Sequence, residues 1–343
     1  MKPHHLRRLV ATLTVLAFFT SCSKDEPKTT SSSSPEPITA EVNRADISLL
    51  TPSGNEASAE NSVDVTPAAA GTSSGLDRSK IMWTSPKMVH DEIKYHNPIY
   101  NGQGQFELVE GKLLTAVVAG TGMTSVECFR DLGLRAIDIS NNPIRDLSPL
   151  AGMKLQTLYA DGTLVEDLTP LRGMPLTSFY AGGTPLHTLT GLEGAPLAEF
   201  NIVGTRVADL TPLKGAPLKM VWLTGCPITD VSPLAKSPLV SITLHQTKIT
   251  DLSPFTGTRL QRLHIAETPV TDLRPLANVP LTRLVFTPPL ITAGIPEIRA
   301  IPTLREIGTR FDDAAKDLVS PAQFWPAFDA AMSRRPIPGP VRE

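Results

Sequence analysis

Few residues in this chain have types and spacings that could support chemistry. His245 and His264, with Glu267 close behind them, are conceivable metal ligands, but no third ligand is clearly placed beside them. No serine, histidine and aspartate set emerges, and there is neither a paired-carboxylate cleft nor a glycine-rich phosphate loop. The sequence therefore predicts no metal site, no cofactor and no enzymatic activity.

The three cysteines predict no reactive thiol within the folded part of the chain. Cys22 ends an apolar N-terminal stretch, whereas Cys128 and Cys226 stand far apart in the sequence. The latter two fall in different columns and five coils apart in the repeat described next. Stacked strands at about 4.8 Å per coil would separate the two thiols far beyond disulfide reach. We expect both to be small buried groups.

A repeat with a period of 21 residues organises the middle of the chain. A row reads L-x-x-L-x-L-x-x-T-x-V-x-D-L-S-P-L-x-G-x-P, and the rows align without a gap. A weaker row precedes them at Leu113. A fixed period in this range is typical of a solenoid. The aligned rows begin at Leu134, Leu155, Leu176, Leu197, Leu218, Leu239, Leu260 and Leu281.

Each column of the repeat predicts a structural role. The apolar fourth and sixth positions are two residues apart, so they point to one side of a strand, and the stacked rows form a parallel sheet. Ser148 and Pro149 have the order of an N-cap and a first helical residue, which predicts one short turn that is often 3₁₀. Asp146 and its equivalents are expected to accept backbone amides at their own turns; a ladder of cation sites is the alternative.

The rows resemble bacterial leucine-rich repeats of the short D-L-S/T-P-L type found in internalin-like proteins. The ending after Leu281 resembles the tail of repeat modules in planctomycete-type bacteria. The resemblance implies an α/β repeat solenoid, a horseshoe with a parallel β-sheet on the concave face and short 3₁₀ or turn segments on the convex face. The family's asparagine after the strand is present as Asn142; other rows have threonine or Cys226, which replace part of its hydrogen bonding. Family membership says little about the ligand.

The third, fifth and seventh columns are expected to form the concave face. Three of the few large aromatic residues fall in the fifth column, acidic residues lie toward one end of the face, and basic residues and two histidines lie toward the other. Exposed aromatic residues flanked by charge are typical of binding surfaces. The alternative is that the rings only cover the sheet by packing on each other. The predicted ligand-binding residues are Tyr159, Tyr180, Asn201, Trp222, Met220, Glu199, His245, Arg262, His264 and Arg283.

Residues 1–21 have the pattern of a targeting segment. Positive residues precede an apolar run that is too short to span a membrane, and the run ends before Cys22. The pattern resembles a bacterial lipoprotein signal, which implies cleavage before Cys22 and lipid attachment to its thiol. A plain secretory signal is the alternative. Ser23 is not the aspartate typical of inner-membrane retention, which favours the outer membrane or the cell surface.

The remaining segments are predicted from their composition. Residues 22–78 are small, polar and Pro-rich, as in a disordered tether. Residues 79–112 are expected to form an N-terminal cap: a helix starts at Ser85-Pro86 and ends at Asn97-Pro98, and a hairpin turns at Glu110-Gly111. Residues 113–303 carry the repeats, residues 304–333 form a C-terminal cap and residues 334–343 a flexible tail. The apolar stripe predicted for the cap helix is Met88, Val89, Ile93 and Tyr95.

These patterns together predict a lipid-anchored extracytoplasmic leucine-rich repeat protein that binds another protein through its concave face. An envelope glycan bound by the same aromatic residues is the runner-up, and a scaffold without a specific ligand is a third interpretation. The formal net charge of −2 shows no basic excess that would favour nucleic acid. We expect a monomer that contacts the membrane through its N-terminal lipid.

Overall fold

The computed structural model describes residues 78–310 and 317–334. The predicted signal segment, Cys22, nearly all of the predicted tether and the predicted C-terminal tail beyond residue 334 lie outside these residues. Within them, one sheet of eleven strands follows the order of the chain. The strands are β1 Gln105–Val109, β2 Lys112–Val117, β3 Ala136–Asp138, β4 Thr157–Tyr159, β5 Ser178–Tyr180, β6 Glu199–Asn201, β7 Met220–Trp222, β8 Ser241–Thr243, β9 Arg262–His264, β10 Arg283–Val285 and β11 Glu306–Gly308.

Only the first strand pair is antiparallel. β1 and β2 form a hairpin whose turn residues Glu110 and Gly111 both have positive φ. From β2 to β11 every neighbouring pair is parallel, and equivalent positions of successive rows lie side by side. This is the parallel sheet of a solenoid, as the 21-residue period predicted, and it has the architecture that the resemblance to leucine-rich repeats implied.

The buried side of the sheet is formed by the apolar columns of the repeat. Leu197, Phe200 and Ile202 of one row are all fully buried, and so are their equivalents in neighbouring rows. Complete burial of one such side chain contributes about 1.5 to 3 kcal/mol, and neighbouring rows provide most of the covering surface. The apolar columns therefore stabilise the stack only when the rows are in register.

Short 3₁₀ segments return the chain on the side opposite the sheet. The segment Ser148–Leu150 is typical: Oδ1 of Asp146 accepts the Ser148 amide at 2.7 Å, and the Ser148 hydroxyl donates to Oδ2 at 2.7 Å. The aspartates therefore serve their own turns, as predicted. The predicted N-cap role of Ser148 is wrong by one residue, because the first carbonyl of the turn is that of Leu147. Equivalent segments are Thr169–Leu171, Thr211–Leu213, Ser232–Leu234, Ser253–Phe255 and Arg274–Leu276.

Helices cover both ends of the sheet. Helix α1, Pro86–His96, begins after Ser85 and ends at Asn97. Val89 and Ile93 are buried beneath it, but Met88 and Tyr95 are exposed, so the predicted apolar stripe is wrong at these two positions. At the other end, α2 spans Ile295–Arg299 and α3 spans Pro321–Ser333. Phe324 of α3 packs against Phe286 of the last row, with ring centroids 5.8 Å apart.

The buried polar column after the strand hydrogen-bonds the backbone, and at Asn142 it also connects one row to the row before it. The buried Asn142 accepts the Met123 amide at 2.9 Å and donates to the Val118 carbonyl at 2.7 Å, both in the preceding row. It also donates to two carbonyls of its own row. Thr163, one row later, donates to the Ala160 carbonyl at 2.7 Å. A hydroxyl thus replaces the bond within the row, whereas the amide also reaches the row before it.

We predict that Asn142→Ala lowers the free energy of unfolding by about 2 to 4 kcal/mol, because several buried backbone groups lose their partners. Thr163→Ala, which removes one bond in the same column, should cost only about 1 to 2 kcal/mol. Urea denaturation of both variants would measure the difference. An equal or smaller loss at Asn142 would contradict the role of its bonds between rows.

Candidate binding surface

The concave face is defined here as the side of the sheet that carries the third, fifth and seventh columns. Alternation along each strand directs these positions away from the buried core. The parallel register then aligns them across strands, so that Tyr159 pairs with Tyr180, Tyr180 with Asn201, and Asn201 with Trp222. All four side chains are half-buried.

Tyr159, Tyr180 and Trp222 form an aromatic ladder on this face. The rings of Tyr159 and Tyr180 stack with centroids 4.7 Å apart and planes inclined by 26°. The rings of Tyr180 and Trp222 approach to 6.1 Å past the shorter Asn201 between them. Asn201 instead accepts the Val203 amide at 3.0 Å. The rings do pack on each other, as the alternative interpretation held, and they also remain partly open to solvent.

A hydrogen bond fixes the middle ring of the ladder. The Tyr180 hydroxyl donates to Oε2 of Glu199 at 2.8 Å. Burial, together with this bond to Glu199, raises the pKa of Tyr180 above its usual range, so the phenol stays protonated and keeps donating. Met220 lies beside Glu199 on the next strand and is half-buried. The middle ring of the ladder is therefore held in one orientation by the protein itself.

Two aspartates flank the ladder at its N-terminal end. Oδ1 of Asp138 accepts the Ser140 amide at 3.0 Å, and Oδ1 of Asp161 accepts the Gly182 amide at 2.7 Å. Burial raises the pKa of Asp161, and the nearby charge of Asp138 raises it further, against the lowering effect of the Gly182 amide. Two carboxylates thus share one partly buried region. Both aspartates belong to the acidic end of the face described from the sequence, although neither was in the predicted contact set.

The basic end of the concave face is less open than the sequence predicted. His245 is only 5% exposed, and its Nδ1 lies 3.0 Å from the Ala266 carbonyl of the next row. Val285, also in an outward column, is fully buried. Arg283 forms an ion pair with Glu306 at 2.7 Å. Burial, followed by the charge of Arg283, lowers the pKa of Arg262.

The chain after β11 returns to the edge of the last strand. Val319 exchanges two backbone hydrogen bonds of 2.9 Å with Ile307 of β11. The Asp317 carboxylate accepts the amides of Thr309 and Arg310. This return pairs the chain with the edge of β11, where a further repeat would otherwise continue the sheet. The expectation of an exposed side chain at His245 is wrong, because its ring is buried against the Ala266 backbone of the next row.

Two candidate features from the sequence, the histidine pair and the cysteines, can be located in the structure. Nε2 of His245 lies 3.9 Å from Oε1 of Glu267, but within residues 78–310 and 317–334 no three histidine, cysteine or acidic side chains converge on a metal position. Cys128 and Cys226 are buried free thiols, as predicted. Burial raises the pKa of Cys128 to about 12, which suppresses its thiolate. In the same part of the chain, no helix has the length and apolar character needed to cross a membrane.

His264 provides a test of the closed basic end. Burial lowers its pKa from 6.5 to about 4, and the charges of His245 and Arg283 act in the same direction. Between these two pH values His264 is therefore protonated in the unfolded chain but remains neutral in the folded chain. The stabilising contribution is complete above pH 6.5 and is lost as the pH falls toward 4.

The wild type should lose unfolding free energy as the pH falls from 6.5 to about 4. We predict that His264→Gln loses less over this range, by on the order of 2 to 3 kcal/mol. Urea denaturation across this pH range measures the effect. His187→Gln, which removes an exposed histidine, is the matched control. Parallel pH profiles for the wild type and His264→Gln would show that this end of the face is open to water.

Known structures resemble this chain at low sequence identity. No family model and no curated protein matches it. An internalin (inlF) from Listeria monocytogenes is 22% identical over 66% of this chain and 75% of that chain, with a TM-score of 0.48. Internalin C2 (inlC2) from the same species is 19% identical over 60% of this chain and 95% of that chain, also at 0.48. The functional domain of InlJ from this species is 17% identical over 57% and 48%, at 0.44. The chain's own in-register parallel sheet and recurring 3₁₀ turns make it a leucine-rich repeat solenoid.

Proposed function

We propose that this chain is a binding protein that recognises another protein through the concave face of its repeats. The observation that carries the proposal is the aromatic ladder of Tyr159, Tyr180 and Trp222, which is stacked and hydrogen-bonded yet only half-buried. Tyrosine and tryptophan provide large contact areas at a low cost in conformational entropy, and they are enriched among residues that dominate binding energy.

Preorganisation of the ladder supports this role. Glu199 holds Tyr180, and Tyr180 contacts both of the other rings, so few rotamers would be lost on binding. The rings also stand on a continuous hydrogen-bonded sheet, which moves less than a loop would. Such a surface suits a partner of defined shape.

The proposed role is non-catalytic. The partly exposed polar groups beside the ladder are carboxylates and amides that already bond the protein's own backbone, as Asp138, Asp161 and Asn201 do. Groups held in this way are suited to recognition. We propose in addition that the protein acts as a monomer.

The proposed location rests on the N-terminal sequence. The apolar run before Cys22 supports cleavage and lipid attachment at that thiol, and residues 22–78 would then act as a tether between the lipid and the repeats. We propose an extracytoplasmic, membrane-anchored protein, at the outer membrane or the cell surface. The concave face would then be presented to other envelope or extracellular molecules.

A glycan is the second candidate ligand, and the stacking of Tyr159 and Tyr180 favours it. Two nearly parallel rings beside carboxylates can pack against the apolar faces of sugars and hydrogen-bond their hydroxyls. A glycan array probed with the full chain separates the two ligands. Selective sugar binding that disappears in Trp222→Ala would favour the glycan.

We predict that a photo-crosslinker at Tyr180 or Trp222 captures one discrete protein in the cells that make this chain. The same crosslinker at the exposed Lys214, which follows a 3₁₀ segment on the convex side, should capture nothing comparable. An adduct from all three positions, or from none of them in cells where the protein is abundant, would contradict the proposal.

With the captured protein purified, Trp222→Ala should weaken its binding by at least about tenfold, because a central aromatic contact typically accounts for 2 kcal/mol or more. The melting temperature should change by no more than about 2 °C, since the ring lies outside the buried core. Lys214→Ala is the matched control for binding. A large loss of thermal stability with unchanged affinity would instead make the ring structural.

A further inference from the structure

The charged residues of the concave face have one sign over much of its length. In the third, fifth and seventh columns from β2 to β7, the charged side chains are Asp138, Asp161 and Glu199. Glu107 of β1 extends the same face, where its carboxylate accepts the Thr115 hydroxyl at 3.0 Å. The arginines of the face begin only at β9. The stretch that carries the aromatic ladder is therefore acidic.

Each carboxylate stands next to a ring of the ladder. Asp138 is the register partner of Tyr159 on the neighbouring strand, so their backbones are about 4.8 Å apart. Asp161 follows Tyr159 by two positions in the same row, and Glu199 bonds Tyr180 directly. Because one face of the Tyr159 ring stacks on Tyr180, the opposite face is turned toward the strand that carries Asp138.

The two aspartates are fixed by the backbone and act on each other. The bonds from the Ser140 and Gly182 amides engage Oδ1 of Asp138 and of Asp161, and a carboxylate can accept about four hydrogen bonds in total. The raised pKa of Asp161 reflects its burial and the charge of Asp138. A positive charge placed between these carboxylates would relieve that repulsion.

Arginine and lysine have the chemistry that fits this arrangement. A guanidinium can stack on a tyrosine face while donating to carboxylates beside it, and an ammonium can approach the same ring as a point charge. The distance along the sheet from Asp138 to Glu199 is three strand spacings, or roughly 14 Å. An extended peptide covers this distance in about four residues.

We infer that the acidic stretch of the concave face binds a cationic segment of its partner protein, with one arginine or lysine over Tyr159 between Asp138 and Asp161 and a second near Glu199. This inference rests on the proposed function and specifies the chemistry of the partner. The ring contact favours arginine over lysine, because the planar guanidinium uses both the ring and the carboxylates.

The test uses the full chain and synthetic peptides labelled with a fluorophore. The probe is an extended peptide of glycine and serine with arginine at every fourth position, and its control has glutamate in place of arginine. At about 0.02 M salt we expect the arginine peptide to bind and the glutamate peptide not to bind. At about 0.2 M salt the arginine peptide should bind clearly more weakly, because salt screens the attraction between charges.

The double variant Asp138→Asn, Asp161→Asn should weaken binding of the arginine peptide roughly tenfold. Asparagine retains an oxygen that can accept the Ser140 and Gly182 amides, so the fold should persist, and an unchanged melting temperature would verify this. Tyr159→Leu, which keeps an apolar group but removes the aromatic ring, should weaken binding about threefold.

The matched control is Glu166→Gln, Asp209→Asn, which makes the same change in net charge at exposed positions away from the concave face. It should alter the affinity by less than twofold. An equal loss in the control and in the double variant at Asp138 and Asp161 would overturn the inference, because net charge alone would then explain the binding. Equal binding of the arginine and glutamate peptides would overturn it as well.

The crosslinked partner separates failure of this inference from failure of the proposed function. A partner that is captured from Tyr180 and binds the double aspartate variant as tightly as the wild type would overturn the cationic segment and leave the proposed function intact. No partner at Tyr180 or Trp222 would contradict the proposed function itself. Sugar binding that depends on Trp222, without binding of the arginine peptide, would overturn both in favour of the glycan.

Discussion

The structure depends on one constraint: no row of this repeat can bury its own apolar side chains. A strand of three residues and a 3₁₀ turn enclose too little volume, so Leu197, Phe200 and Ile202 become buried only when neighbouring rows lie directly against them. Every row must therefore return the chain to the same register. The aspartate of each turn and the buried polar residue after each strand serve this return, because they satisfy backbone groups that the bends would otherwise leave unpaired inside the stack.

The same register creates the concave face. Once the core fixes Phe179 beside Phe200, the outward residues next to them are fixed as well, and Tyr180 must stand between Tyr159 and the following strand. The spacing of the aromatic ladder is therefore set by the packing of the hydrophobic core on the other side of the sheet. A change of ring on the outer side can alter what the surface binds without disturbing the stack, and this separation of roles is why repeats of this kind carry many different surfaces.

The periodic part of the molecule could be predicted from the sequence, because a repeated pattern has one consistent solution. The parallel sheet, the aspartate turns and the adjacency of Tyr159 and Tyr180 all follow from the row alignment. The ends could not be predicted in this way. His245 and Val285 occupy outward columns, yet both are buried, and the chain after β11 pairs with Ile307 at the edge of the last strand, a contact between segments that no period relates. Within the repeats, one row also departs from the pattern: the row that begins at Leu176 has Gly191 at the position where other rows have proline. Gly191 adopts a φ of 111°, and a side chain there would collide with the Leu168 carbonyl of the preceding row.

The hydrogen bonds of the acidic stretch determine how it can discriminate between ligands. Asp138, Asp161 and Tyr180 are held in place by partners within the protein, and each of the two carboxylates can still accept further hydrogen bonds from a ligand. What these groups offer in addition is the charge of two carboxylates that repel each other and the electron-rich faces of fixed rings. Both features attract positive charge, and neither depends strongly on the exact direction from which it approaches. A surface of this kind selects ligands first by their charge and planarity and only then by their shape. Its affinity for a ligand should therefore depend more on ionic strength than the affinity of an apolar groove of equal area.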